Sequence, residues 1–295
     1  MSGRAVDDRR AADVIELLRS AADALRTHPG RKGAVDWIPV RGRLLATGDL
    51  HDNPMHFQKV VELARLGADP DHHVVLQELI HGERTMNGLD LSYRMLTKVA
   101  KLVLDHPGQV HPLLANHELA QMAGHSVSKG GGCMTARFHE GLDYVFGDDA
   151  DEVFEALTTF ILSMPLAART EHGIFCSHSL PGPAMMSRFD LDIIDRELVP
   201  EDYEALVGSA WMMVWGRGHT AEQMEAIAER WGVSLFLLGH AFVENGIEMG
   251  GPRTLLMNTD HERGAVLPID LDGPVPTAES AMFSVLPLAA VGSTS

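Results

Sequence analysis

Apolar positions follow two different spacings along the chain. Between residues 11 and 26, Val14, Ile15, Leu17, Leu18, Ala21, Ala22 and Leu25 fall on one helical face, and "HPGRKG" ends the segment. This predicts a helix packed on the outside of a domain. "RLLATG" then reads as a buried strand, and "NPMHFQKVVELARLG" as a helix capped by Asn53, with Pro54 at its first position and Gly67 closing it. The order recurs. "HHVVLQEL" predicts a strand, "LDLSYRMLTKVAKLVLDH" an amphipathic helix, and "QVHPLLANHE" a strand leading into the helical "LAQMAGH". Such alternation points to an α/β layered fold.

"GHSVSKGGGCM" is the clearest loop and reads either as a mobile cover over a site or as a plain linker. Helices are expected near 134–145 and 151–163, followed by a hairpin of "PLAART" and "HGIFCSHS" turning at Glu171, His172 and Gly173. A polar stretch runs to about residue 208. "HTAEQMEAIAERWG" places Thr220 and Gln223 at capping-box spacing with Gly232 as terminator. "SLFLLGH", "TLLMNT" and "GAVLPIDL" predict late strands, and the tail after residue 272 has no period and is expected to be partly disordered. The reading divides the chain into a helical extension over 1–33, a main domain over 34–272 and a tail over 273–295.

Composition narrows the functional classes. At 295 residues, 45% hydrophobic and 22% charged, the chain can bury a sizeable core. Its 41 acidic residues against 24 basic ones give a net charge of −17, which repels nucleic acid. An anionic small substrate then needs a local cation. Cys133 and Cys176 form no framework of disulfides or zinc thiolates, so a reducing cytoplasm is expected, and no apolar run is long enough to predict a membrane span.

Five apolar runs end abruptly in metal-binding side chains: "LLATGDLH", "VVLQE", "HPLLANHE", "GIFCSH" and "LFLLGH". If the ends of these strands meet at one edge, Asp49, His51, Glu78, Asn116, His117, His178 and His240 converge. Two divalent metals about 3.5 to 4 Å apart hold a phosphate and a nucleophile in line, and such a pair needs a shared carboxylate. Glu78 fits that place, with Asp49 and His51 on one metal and Asn116, His178 and His240 on the other. Imidazole and oxygen donors without thiolate suit Mn, Fe or Zn. Each residue also has an ordinary reading: Asn116 as the cap of a helix beginning near 117, His178 as a hairpin residue, His240 as part of a turn.

Taken in order, these motifs resemble the calcineurin-like metallophosphoesterases, particularly the phosphoprotein phosphatase branch and its bacterial relatives. The counterparts are "GDLHDN" at 48–53, "QELIHGER" at 77–84, "ANHE" at 115–118, "SHSLPGP" at 177–183 and "GH" at 239–240. The resemblance implies a two-layer β-sandwich flanked by helices, with a dimetal site at the strand ends. It implies the same ligand assignment, with Glu78 in the place of the bridging aspartate, His117 as the proton donor to the leaving oxygen and Glu118 as a structural residue. The expected activity is hydrolysis of a phosphate ester by a dimetal-bound hydroxide, on a phosphorylated small molecule, a dinucleoside polyphosphate or a serine/threonine phosphoprotein. The alternative is a degenerate member that binds metal or a phosphorylated ligand without turnover. The second motif departs most: Gln77 replaces glycine, Glu78 aspartate, His81 the acid that orients the catalytic histidine, and Gly82 an arginine. The resemblance therefore implies that His81→Asp preserves or raises turnover. Arg84 and Arg217 are the candidate phosphate ligands, with Lys129, Arg137 and Arg253 as further replacements for a missing arginine.

Overall fold

The computed structural model describes residues 6–124, 128–129 and 132–292, with backbone alone for 128, 129 and 132. Among them, five strands form one sheet in the order β14 (Leu286–Pro287), β13 (Ala265–Asp270), β3 (Arg43–Asp49), β4 (His72–Gln77) and β5 (Val110–Leu113). The last three run parallel. Parallel neighbours need a crossover, and α2 (Pro54–Ala64) and α3 (Tyr93–Asp105) supply it. The second sheet has seven strands, ordered β1 (Arg31–Lys32), β2 (Val35–Ile38), β8 (Ala167–Thr170), β9 (Ile174–Ser177), β10 (Leu235–Leu238), β12 (Thr254–Met257) and β11 (Ile247–Gly251). Here β9, β10 and β12 are parallel.

The continuous apolar runs arise because these strands are buried on both faces. Leu44, Ala46, Val75, Ile174, Cys176, Leu235, Leu237, Leu255 and Leu267 meet in a core between the sheets. Their alternate neighbours Leu45, Val74, Leu76, Phe175, Phe236, Leu238 and Val266 join a second core under the helices. That is the two-layer sandwich expected from the motifs. Its covering helices include α1 (Ala11–Arg26), α4 (Asn116–Ala123), α5 (Met134–Phe146), α6 (Ala150–Ile161), α7 (Ser209–Trp215) and α8 (Ala221–Trp231). The apolar face of α1 buries Val14, Ile15, Leu17, Leu18, Ala21, Ala22 and Leu25 in the same core as the other helices. At about 1.5–3 kcal/mol per large side chain, this burial holds a helix that alone would be marginal.

Several local expectations change. α2 ends at Arg65, in the left-handed region with φ of 50°, and Gly67 lies inside the following 3-10 turn. Asn53 does cap α2, accepting from His56 N–H at 3.1 Å. In α8 only half of the capping box forms: Thr220 Oγ1 accepts from Gln223 N–H, while the Gln223 side chain donates to Pro181 O. The tail is more ordered than its lack of period implies, since β14 pairs with β13 and α9 (Ala278–Ala281) packs Ala278 and Ala281 onto the inter-sheet core. Within the glycine-rich loop, β6 (Ser128–Lys129) pairs with β7 (Gly132–Cys133), and residues 125–127 and 130–131 lie outside the described residues. No described helix is long and apolar enough to cross a membrane.

Candidate metal centre

The carboxyl ends of β3, β4, β5, β9 and β10 meet at one edge of the sandwich, where the two sheets touch. Asp49 bridges to Asn258, Asp49 O accepts from Thr259 N–H at 3.0 Å, and Gly48 N–H donates to Thr259 Oγ1 at 2.8 Å. Gly48 permits the approach, because a Cβ there would overlap Met257 O.

The loop after β3 is stitched to the loop after β4. Leu50 N–H donates to Gln77 O and Glu78 O, His51 N–H to Glu78 O at 2.8 Å, and Asp52 N–H to Leu79 O at 2.9 Å. From the other side the Glu118 carboxylate accepts from Leu79 N–H at 2.7 Å and Ile80 N–H at 3.3 Å. Glu118 is thus placed to support the loop, as the motif reading assigned it. In this stitched region His51, Asp52, Glu78 and His81 have φ values of 41°, 48°, 46° and 61°, and His240, whose N–H donates to Asp49 Oδ1 at 2.9 Å, has a φ of 64°. Left-handed backbone at non-glycine residues costs on the order of 1–3 kcal/mol each and persists only where the surroundings over-determine it.

All seven residues of the expected constellation come together. Glu78 Oε2 lies 3.5 Å from His51 Nε2 and 3.7 Å from His178 Nε2, while Glu78 Oε1 lies 3.6 Å from His117 Nε2. His178 Nε2 is 2.7 Å from Asn116 Oδ1 and 3.2 Å from His240 Nδ1, and His178 Nδ1 is 3.6 Å from Asp49 Oδ1. Asn116 is the first residue of α4, whose cap is Ala115, so its amide serves this cluster and not the helix end. Two sets emerge, His51, Glu78 and His117, and Glu78, His178 and His240, each offering ligand atoms within 4.8 Å of one another. Glu78 belongs to both. His117, expected only as a proton donor, thus also lies within ligand reach of the first set.

Outer partners turn ring lone pairs into this cluster. Gln77 Nε2 donates to Thr47 O at 2.7 Å, which turns Gln77 Oε1 towards His178 Nδ1 at 3.1 Å. Burial, together with the charge of His240, pushes the His178 pKa well below its ordinary value, so the ring is neutral with one proton. With that proton on Nδ1 for Gln77, His178 Nε2 presents its lone pair to the space it shares with Asn116 Oδ1, His240 Nδ1 and Glu78 Oε2. His51 repeats the pattern, donating from Nδ1 to Ile80 O at 3.2 Å and turning Nε2 to the Glu78 carboxylate. A cation placed among these atoms would meet those lone pairs, and outer partners that fix imidazole tautomers are the usual setting of metal ligands. His240 Nε2 is buried without a hydrogen-bond partner among the described residues. Burial raises Asp49 to about 7, against hydrogen bonds to Glu78 and to His240 N–H. Burial, assisted by Arg217, lowers His240 to about 3. The donor set therefore fits divalent metal.

The candidate phosphate ligands separate. Arg217 is exposed at the rim with Nη2 3.4 Å from His240 Nδ1, and Trp215 lies edge-on to the same ring at 6.2 Å. Arg84 is exposed on the loop after His81, where its charge is felt by Asp52 and His56. Arg253 is engaged by Glu225 at 3.0 Å, away from the centre. Arg137 sits half-buried on α5, and the Lys129 side chain lies outside the described residues. Two contributors escaped the sequence reading. Gln77 registered only as a departure from a motif, and Asp90, 2.7 Å from His81 Nδ1, has no motif to announce it.

Comparisons with known proteins agree with this geometry. The chain superposes on a protein serine/threonine phosphatase from Saccharomyces cerevisiae with similarity to human phosphatase PP5, with a TM-score of 0.63, 15% identity, and coverage of 88% of this chain and 83% of that one. A cold-active protein-tyrosine phosphatase of a psychrophilic Shewanella species gives a TM-score of 0.51 at 15% identity, covering 86% and 84%. No curated protein matches the chain. The calcineurin-like phosphoesterase profile matches residues 42–243, the span that carries every residue of the centre, and the chain therefore belongs to that family of generally divalent-metal proteins.

Proposed function

We propose that the chain is a metal-dependent phosphoesterase hydrolysing the phosphate ester of a small molecule or a phosphoprotein. The observation that carries this reading is Glu78, a single carboxylate that belongs to two groups of ligand atoms, each group lying within 4.8 Å. Two divalent transition-metal ions, Mn, Fe or Zn, supply the Lewis acidity that neutralises phosphoryl charge and activates water. Glu78 would be shared between them, with Asp49 and His51 holding one and Asn116, His178 and His240 the other. Arg217, at the exposed rim beside His240, binds a phosphoryl oxygen. His117 points Nε2 at the centre of the site, 3.6 Å from Glu78 Oε1, and gives its proton to the departing oxygen.

A second reading, ligand binding without turnover, is favoured by one feature. Gly82 stands where the family has an arginine, and a Cβ there would overlap His51 O, so no side chain fits at that point. Hydrolysis of para-nitrophenyl phosphate by protein reconstituted with Mn separates the two readings. Turnover above that of the His178→Ala variant is expected. Two bound metals with no turnover would favour the second reading.

A further inference from the structure

His81 stands where the family places the acid that orients the catalytic histidine, yet a carboxylate has not been lost from this region. The His81 ring is fully buried, and its Nδ1 lies 2.7 Å from Asp90 Oδ2. Asp90 is fixed in turn: its Oδ1 accepts from Ser92 N–H at 2.8 Å, its N–H donates to Arg137 O at 3.2 Å, and Ser92 Oγ accepts from His81 N–H at 3.2 Å. A carboxylate only accepts, so the His81 proton sits on Nδ1. In the neutral ring Nε2 carries the lone pair; it is buried, with no hydrogen-bond partner among the described residues. Burying such an acceptor unmet costs about 1–3 kcal/mol. Phe138 closes one side of the ring at 5.7 Å, and His117 lies on another, its centroid 5.4 Å away at 53°.

We propose that Asp90 and His81 form a positioning relay for His117: Asp90 fixes the His81 tautomer, and His81 Nε2, whose ring lies 5.4 Å from that of His117, is the acceptor to which His117 Nδ1–H closes in the working enzyme, a bond not formed in this structure. The inference rests on the phosphoesterase reading and deepens it. With Nδ1 held from behind, His117 presents Nε2–H to the leaving oxygen. As the phosphorus–oxygen bond breaks, the Nε2 proton of the His117 imidazolium passes to the oxygen, leaving His117 neutral with its remaining proton on Nδ1, donated to His81. No proton travels along the relay. Its work is orientation, so Asp90 and His81 are positioning residues and His117 alone meets the substrate.

This changes what substitutions at 81 should do. His81→Asp, expected from the resemblance alone to preserve or raise turnover, would instead set two carboxylates together in a buried site and is expected to destabilise the fold. Asp90→Asn is the sharper probe. Ser92 N–H holds the amide oxygen, which turns the NH2 to His81 Nδ1 and moves the ring proton to Nε2, donor against donor. In the Mn-loaded full chain, kcat on a phosphoserine peptide should fall about 10- to 100-fold, with KM and metal content unchanged. Para-nitrophenyl phosphate, whose leaving group needs little protonation, should lose far less. In a His117→Asn background the same change should have no further effect. His81→Gln, which keeps a donor for Asp90 and an acceptor for His117, should recover most of the loss seen in His81→Leu and serves if Asp90→Asn does not fold. Equal losses on both substrates, additivity in the double variant, or no difference between Gln and Leu at 81 would overturn the relay. Wild-type protein with bound metal and no hydrolysis would overturn the function itself.

Discussion

Two clusters of histidine and carboxylate lie at opposite ends of the same strands, and only one has the character of a reactive site. β4 begins with His73 in its second position and is followed by Glu78; β5 carries His111 near its start and leads to Asn116. At the amino ends, Arg31 Nε donates to Asp36 Oδ1 at 2.5 Å, Asp36 Oδ2 accepts from His111 at 2.9 Å, and His111 Nε2 meets His73 Nδ1 at 3.2 Å. His28 accepts from Gly30 N–H at 2.9 Å and reaches Gly108 O at 3.3 Å. By distance alone His28, Asp36 and His111 also form a metal-sized group. Every one of their donor and acceptor atoms is nevertheless engaged, leaving only His73 Nε2 in the network without a partner. None of the four residues adopts a left-handed backbone. Residue type and spacing are therefore shared by both clusters. Ring lone pairs turned inward by outer partners, together with strained backbone, distinguish the one that suits a cation.

The largest effect should come from the proton donor. His117→Asn is expected to lower hydrolysis of alkyl phosphates by about two to four orders of magnitude while both metals stay bound. Steady-state kinetics on alkyl and aryl substrates, with metal analysis of the same samples, checks this. Unchanged alkyl turnover would return His117 to the ligand set its position also permits.

At the opposite cluster the expected loss is in stability. Asp36→Leu breaks a buried ion pair and leaves Arg31 and His111 uncompensated, which should cost about 3–5 kcal/mol in urea unfolding. Metal content and kcat should not move. A smaller effect is expected for Gln77→Leu, which releases the His178 tautomer and should weaken metal binding about 10- to 100-fold. Competition with a chelator measures it.

The smallest effect is in pH. Burial, with the charge of His111, lowers His73 from 6.5 to about 3, so the unfolded chain binds a proton that the native state refuses. Stability should therefore decline as pH falls from about 6.5 towards 3, by at most about 1.4 kcal/mol per pH unit. Burial opposes the ionised Asp36, but His111 and Arg31 outweigh it and hold its pKa at about 2 against 3.8, adding a loss of the same sign between those values. His73→Phe should flatten the upper part of the curve; an unaltered slope between pH 6.5 and 5 would show that other groups govern it.

Much of this was legible in the sequence because the ligands follow unbroken apolar runs. A strand buried on both faces is apolar at every position, so the first polar residue after it marks the strand's end, and five such ends mark an edge. β2 and β11 were not legible: "VDWI" carries Asp36 inward to a buried network, and "IEMGG" exposes Glu248 and Met249. Asp90 was hidden for another reason. It lies nine positions after His81, and the packing of α5 against the intervening loop, through Arg137 O, helps bring it to the ring. Gln77 shows the limit of motif reading, since its departure from the family looked like a loss until Thr47 O fixed its amide towards His178.

Metal content compared across the two clusters tests the account most directly. Element analysis of the wild-type protein after reconstitution with Mn should find close to two ions per chain. Asn116→Ala or His240→Ala should lose mainly one, and Asp36→Leu none. Fewer than about half an ion per chain in the wild type, or loss of metal with Asp36→Leu alone, would contradict the assignment of the site to the carboxyl ends of the strands.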